Sequence, residues 1–227
     1  MKHPAWRLAI LFLFLTGWLF GPALARRDVI LGAPEHNDLV RQFARFHRCY
    51  QRALAGGEWP LWNPYIVAGM PSAMFGQTGL FYPPNWLTLA APSPDAMDLQ
   101  LALHFLWALA ATYWIARRLG LGAPAAYVTS VCYALSGATV GRLMEGHLTI
   151  YQALAWFPLA WGAFYRVLGE KRERKDWVAA TGALTAMGLA GAPQIWLLAL
   201  LALAFTALFH ALLHPVGDAC FARSRWR

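Results

Sequence analysis

Two places in this chain put ionisable side chains at the edge of an apolar segment, and about a hundred residues separate them. The first is Asp38, at the head of a stretch with helical periodicity. The second is the run Ser136-Gly137-Ala138-Thr139-Val140-Gly141-Arg142-Leu143-Met144-Glu145-Gly146-His147. An arginine can clamp a phosphate through paired N–H groups, a histidine or glutamate can move a proton, and the two together can hold a metal. Asp38 sits where the positive end of a helix dipole favours its ionised form, and its plain alternative is a helix cap. For the second run the plain alternative is a hydrated turn with a capping histidine. Asp28, beside Arg26 and Arg27, fits a surface ion pair. Cys49, Cys132 and Cys220 lack metal-ligand spacing and fall in separate segments, so neither a zinc site nor a disulfide framework follows.

The elements that must position these residues are membrane segments. With 59% hydrophobic and 13% charged residues, twelve Trp and a mean hydropathy of +0.40, the composition is that of an integral membrane protein. The net charge of +8 is dispersed among apolar runs, which argues for membrane topology and against nucleic acid as its cause. Residues 4–25 are long enough to cross a bilayer, with a cleaved signal peptide ending near Ala23-Leu24-Ala25 as the rival. Further spans are expected at residues 99–116, 124–140, 148–168, 177–190 and 195–213, making about six. Lys2, Arg7, Arg117, Arg118, the run from Lys171 to Lys175, and the basic C-terminal residues then share one side, which places both termini in the cytoplasm and residues 26–98 outside.

Within that long outer loop, residues 37–55 carry a helical signal. Leu39, Phe43, Phe46, Tyr50 and Leu54 recur at three- and four-residue steps, and Arg41, Arg45, Arg48 and Arg52 recur on the opposite face. Asn37 or Asp38 can cap its start, and Gly56-Gly57 can end it. The expectation is a helix along the outer membrane surface, its arginines facing headgroups or water.

The following stretch is rich in Pro, Gly and Trp, and needs a protein surface to satisfy its backbone. Its motifs are Gly57-Glu58-Trp59-Pro60-Leu61-Trp62-Asn63-Pro64-Tyr65, Gly69-Met70-Pro71, Gln77-Thr78-Gly79 and Phe81-Tyr82-Pro83-Pro84-Asn85. In this order they resemble the first extracytoplasmic loop of the YfhO-like bacterial membrane proteins, part of the C-type (GT-C) glycosyltransferase superfamily. The resemblance implies an all-α, polytopic transmembrane bundle, here a single N-terminal module of a longer protein in the bacterial inner membrane. It implies transfer of a sugar from a polyprenyl-phosphate donor to an extracytoplasmic glycan, lipid or protein acceptor. Asp38 matches the family's loop aspartate and is implied as general base. Arg142, with the basic helix, would stabilise the departing lipid phosphate, and His147 would orient that phosphate or relay a proton. Glu145 lies in a small insertion relative to the pattern and is the less secure catalytic candidate. Trp62, Asn63, Gln77, Tyr82 and Asn85, with Trp86, are the implied substrate contacts. A divalent metal is left open, and at Ala192 the family's usual histidine is missing, so no role carries over. The rival class is a non-catalytic membrane component, either an inactive relative or a transporter-like bundle. The near absence of ionisable residues within the spans speaks against transport.

Overall fold

In a computed structural model, residues 5–25, 37–72, 77–90, 94–170 and 172–213 are described. Lys2, Asp28, Lys171, Cys220 and the basic C-terminal residues lie outside the described residues. Of the described residues 79% are helical and 2% lie in strands, so the class is all-α.

The bundle is built round α7 (Leu148–Leu168), which is buried on nearly every side. Its small residues explain how neighbours approach so closely. A Cβ at Gly162 would run into the Ile115 side chain of α4 (Pro94–Arg118). Pro158 lies inside α7 and cannot donate to the Leu154 carbonyl one turn back. That carbonyl instead accepts from the Tyr133 hydroxyl of α5 (Ala123–Ala134) at 2.6 Å.

α1 (Ala5–Ala25) runs antiparallel to α4, with Phe20 against Phe105 (ring centroids 5.5 Å apart) and Phe12 against Tyr113 (6.0 Å). α8 (Arg174–Leu189) and α9 (Pro193–Leu213) form a hairpin whose turn holds Gly191 at φ 85° and opens α9 on a proline. Among the described residues, three helices are long and apolar enough to cross a membrane: Trp6–Ala25, Ala96–Arg118 and Pro193–Leu213. The first and last are only 11% buried in the bundle, so their leucines and aromatics face outward, as lipid contact requires.

Residues 124–140, expected as one span, form two helices. α5 stops at Ala134, and α6 (Gly137–Met144) starts afresh because Ser136 adopts an extended N-cap conformation with its hydroxyl toward Thr139 N at 3.4 Å. Neither piece, at 1.5 Å per residue, approaches the roughly 30 Å of a hydrocarbon core.

Between α1 and α4 the loop is ordered. A π-helical turn (Leu39–Phe43) leads into α2 (Ala44–Ala55). A two-residue hairpin follows, β1 (Trp62–Asn63) antiparallel to β2 (Met70–Pro71), then a 3-10 turn and α3 (Trp86–Ala90). The expected apolar stripe of α2 is buried at Leu39, Phe43, Phe46 and Tyr50, while Leu54 is exposed and lines a groove with Trp59 and Trp86.

Candidate functional site

The start of the loop helix and the turn into α7 are locked together by backbone geometry. α6 ends in a Schellman motif: Gly146 N–H reaches Leu143 O (3.1 Å), and His147 N–H reaches Arg142 O (3.0 Å). Gly146 has φ 73°, and a Cβ there would collide with the Asn37 side chain, so glycine is required twice over. The motif folds His147 back over Arg142. Against it lies the loop, with Asp38 N–H donating to Glu145 O at 3.1 Å.

Asn37 does the capping, its Oδ1 accepting from Leu39 N–H at 2.8 Å, while Asp38 makes no side-chain cap bond. The Asp38 carboxylate therefore points elsewhere. Its Oδ2 lies 3.0 Å from His147 Nε2. On the other side of the ring, His147 Nδ1 is 3.2 Å from Glu145 Oε2 and 3.1 Å from Arg142 Nη1, and Arg142 Nη1 lies 2.9 Å from Glu145 Oε2. As imidazolium, His147 donates to both carboxylates. As neutral imidazole with its proton on Nε2, it donates to Asp38 and accepts from Arg142. The four predicted residues Asp38, Arg142, Glu145 and His147 thus form one connected cluster open to solvent, with Asp38 39% and Arg142 45% exposed at the side chain.

The cluster does not suit a metal. Its two carboxylates sit on opposite nitrogens of one imidazole and cannot converge on a point, and among the described residues no three His, Cys, Asp or Glu side chains are grouped to hold an ion.

One turn beyond Asp38 begins the arginine face of α2. Arg41, Arg45, Arg48 and Arg52 line a groove of about 490 Å³, closed on its far side by Asn63, Tyr65 and Ile66 of the hairpin.

The other loop candidates are placed differently. Asn85 is 1% exposed: its Nδ2 donates to Gly79 O (2.9 Å), and its Oδ1 accepts from Gln100 of α4 and Gln152 of α7, both at 2.7 Å. Tyr82 is buried in a directed chain. Trp156 Nε1–H donates to Tyr82 Oη (2.7 Å), which leaves the phenol proton for His104 Nε2 (2.7 Å), and His104 Nδ1–H donates to Gln100 O (2.7 Å). Burial pushes the Tyr82 phenol up to about 12, so it stays a donor. Asn63 is buried and closes an Asx turn onto Tyr65 N (3.0 Å). Gln77 accepts from Gln42 at 3.0 Å. Trp62 is exposed, and Trp86 is half-exposed with its indole N–H on Leu80 O at 3.1 Å. Asn85 and Tyr82 therefore hold the loop to the bundle, Asn63 shapes the hairpin, and all three are buried with little surface for a ligand.

The partners of this anchor, Gln100, His104 and Gln152, were missed in the sequence. Their signal was legible: Gln100 and His104 are polar residues four apart in an apolar segment, and so share one helix face.

No protein-family model, curated protein or solved structure matches the chain.

Proposed function

We propose that the chain is the N-terminal part of a C-type membrane glycosyltransferase. Its helical membrane bundle would carry the loop and the α6–α7 turn outside the cytoplasm, where it transfers a sugar from a polyprenyl-phosphate donor to an acceptor. The observation that carries this reading is the Asp38–His147 pair, assembled from distant parts of the chain and left open to solvent. In the reaction the acceptor oxygen attacks the anomeric carbon, and the bond to the lipid phosphate breaks with its electron pair leaving on that phosphate. The acceptor proton goes to Asp38, which His147 holds in place through its Nε2–H. Arg142, exchanging Glu145 for the leaving phosphate, stabilises the charge that develops there. Glu145 holds Arg142 and His147 in register before substrate arrives.

The test is sugar transfer in membranes holding the full-length protein. Asp38→Asn keeps the shape and removes the base, so turnover falls by at least about a hundredfold while donor binding persists. Arg142→Ala weakens donor binding itself. Unchanged turnover in Asp38→Asn would sink the assignment.

A second reading is favoured by one specific observation: the four side chains satisfy one another, and the Asp38 N–H bond to Glu145 O ties the same two segments. On this reading the cluster is a clasp in a non-catalytic membrane component. It predicts that Asp38→Asn lowers the unfolding temperature and leaves every binding measurement unchanged.

A further inference from the structure

Among the described residues, four Lys and Arg side chains are held in ion pairs: Arg118 and Arg166 with Asp176, Arg142 with Glu145, and Lys175 with Glu173. Arg41, Arg45, Arg48 and Arg52 differ from these. All four are exposed, and among the described residues none forms an ion pair. They stand on one face over three helical turns, a spacing that concentrates like charge and costs stability unless something anionic lies against it.

The height of this face in the molecule is fixed by its neighbours. α2 is tied to α3 by Gln51 Nε2 to Thr88 O (2.6 Å) and by the His47–Thr88 contact (2.8 Å), and α3 immediately precedes α4. The antiparallel packing of α1 on α4 brings the C-terminal end of one membrane-length helix beside the N-terminal end of the other. The arginine face therefore lies at the level where these helices leave the hydrocarbon, which is the headgroup layer.

Across the groove the hairpin tip has the chemistry of that layer. Tyr65, 74% exposed, lines the groove beside the guanidiniums, and Trp62 at the base of the hairpin is exposed as well. Val67, 83% exposed, and Ala68 are held at φ 48° and 57°, a left-handed conformation that a β-branched residue adopts only when its surroundings impose it. Aromatic rings, an apolar tip and cations on long stems are what an interfacial surface presents. A soluble phosphate would have no use for the apolar tip.

We propose that the arginine face of α2 and the tip of the β1–β2 hairpin form a docking surface for anionic phospholipid headgroups, with the guanidiniums on the phosphates and Val67 between the acyl chains. The proposal rests on the membrane reading of the apolar helices but not on sugar transfer.

The full chain is reconstituted in nanodiscs of phosphatidylcholine alone, or of equal parts phosphatidylcholine and phosphatidylglycerol, and the lipids retained on its release are counted by native mass spectrometry. The wild-type protein should retain phosphatidylglycerol preferentially. Arg45→Gln with Arg48→Gln should cut that preference about tenfold, and the paired lysine substitutions should restore most of it. Val67→Asp should lower retention without touching an arginine. If the glutamine variant fails to fold, the lysine pair and Val67→Asp carry the test. Equal retention of the two lipids by the wild-type protein would overturn the proposal, as would a preference that the substitutions leave intact. Complete displacement of phosphatidylglycerol by glycerol phosphate would make the groove a soluble-phosphate site and also overturn it. Failure of the chain to enter either nanodisc would overturn the membrane reading, and this proposal with it.

Discussion

α7 carries an acid–base cluster at each end, and the two are built on opposite plans. At its N-terminus, Asp38 meets one imidazole and remains 39% exposed. At its C-terminus, Asp176 is fully buried. It accepts from Arg118 Nη2 (2.8 Å), Arg166 Nε (3.1 Å) and the Glu173 amide (2.9 Å), while Arg166 also bonds to the Arg118 carbonyl at 2.8 Å. Burial would raise the Asp176 carboxyl, but those three bonds and the guanidinium charge outweigh it and hold the group below the usual carboxylate range. One carboxylate is saturated and closed in; the other keeps lone pairs facing water. Saturation fixes the ends of α4, α7 and α8 against one another, whereas openness leaves a group able to accept a proton.

The largest effect expected from this contrast is at the closed end. Asp176→Asn keeps the shape but leaves Arg118 and Arg166 facing a neutral amide in a low-dielectric site, a loss of about 3 kcal/mol in stability. Because the folded Asp176 binds its proton more weakly than the unfolded chain does, its contribution is present above the ordinary carboxylate range. It is lost as pH falls through the folded value. Thermal unfolding of the detergent-solubilised chain should show the deficit at neutral pH and lose it in acid. If the deficit were no larger than that of a surface pair, the two clusters would not differ in kind.

A buried ionisable group with no carboxylate partner sharpens the comparison. His47 is buried beneath α3, and burial lowers it from 6.5 to about 4. Thr88 spends its hydroxyl proton on Asn85 O (2.6 Å), so its oxygen accepts from His47 Nδ1–H and the ring is held neutral. The unfolded chain therefore takes up a proton between pH 6.5 and 4 that the folded chain refuses. Stability falls as pH drops through that window, by about 3 kcal/mol in all. His47→Gln preserves a donor to Thr88 and should lessen the dependence, measured as unfolding temperature against pH. A wild-type profile already flat across the window would remove His47 from this role.

The anchor of the loop should follow at a smaller size. Asn85→Ala removes the acceptor of two buried glutamine amides and the donor to Gly79 O, costing about 2 kcal/mol. It should also raise protease cleavage between residues 59 and 72. Resistance equal to the wild-type chain would mean that Tyr82 and His104 hold the loop unaided.

What could be read from the sequence follows the range of the interactions. The buried stripe and arginine row of α2 are local periodicity, and both are found, the stripe as far as Tyr50, with Leu54 exposed beyond it. The turn around Arg142, Glu145 and His147 was legible because a Schellman glycine is a local requirement. The choice of cap between Asn37 and Asp38 was not. It is settled by Glu145 O and Gly146, which no reading of residues 37–55 contains. The same holds for Tyr82 and Asn85, which look available in a linear motif and are consumed by Gln100, His104, Gln152 and Trp156. The division of residues 124–140 also depended on context: Ser136 is weak punctuation in an apolar run until its hydroxyl turns to Thr139.

The smallest expected effect is the most discriminating. Asp38→Asn is the same substitution as Asp176→Asn, made on the exposed pair. A half-exposed carboxylate–imidazole contact is worth at most about 1 kcal/mol, and the asparagine can still accept from His147 Nε2. Asn37 retains the helix cap, and the backbone bond from residue 38 to Glu145 O does not involve the side chain. Unfolding temperatures of the wild-type chain and the two variants, taken in one detergent at neutral pH, should place Asp38→Asn close to wild type and Asp176→Asn well below both. Two equal deficits would make Asp38 a structural clasp like Asp176. A near-zero deficit joined to lost turnover in the full-length protein would leave the open carboxylate with a chemical role and no structural one.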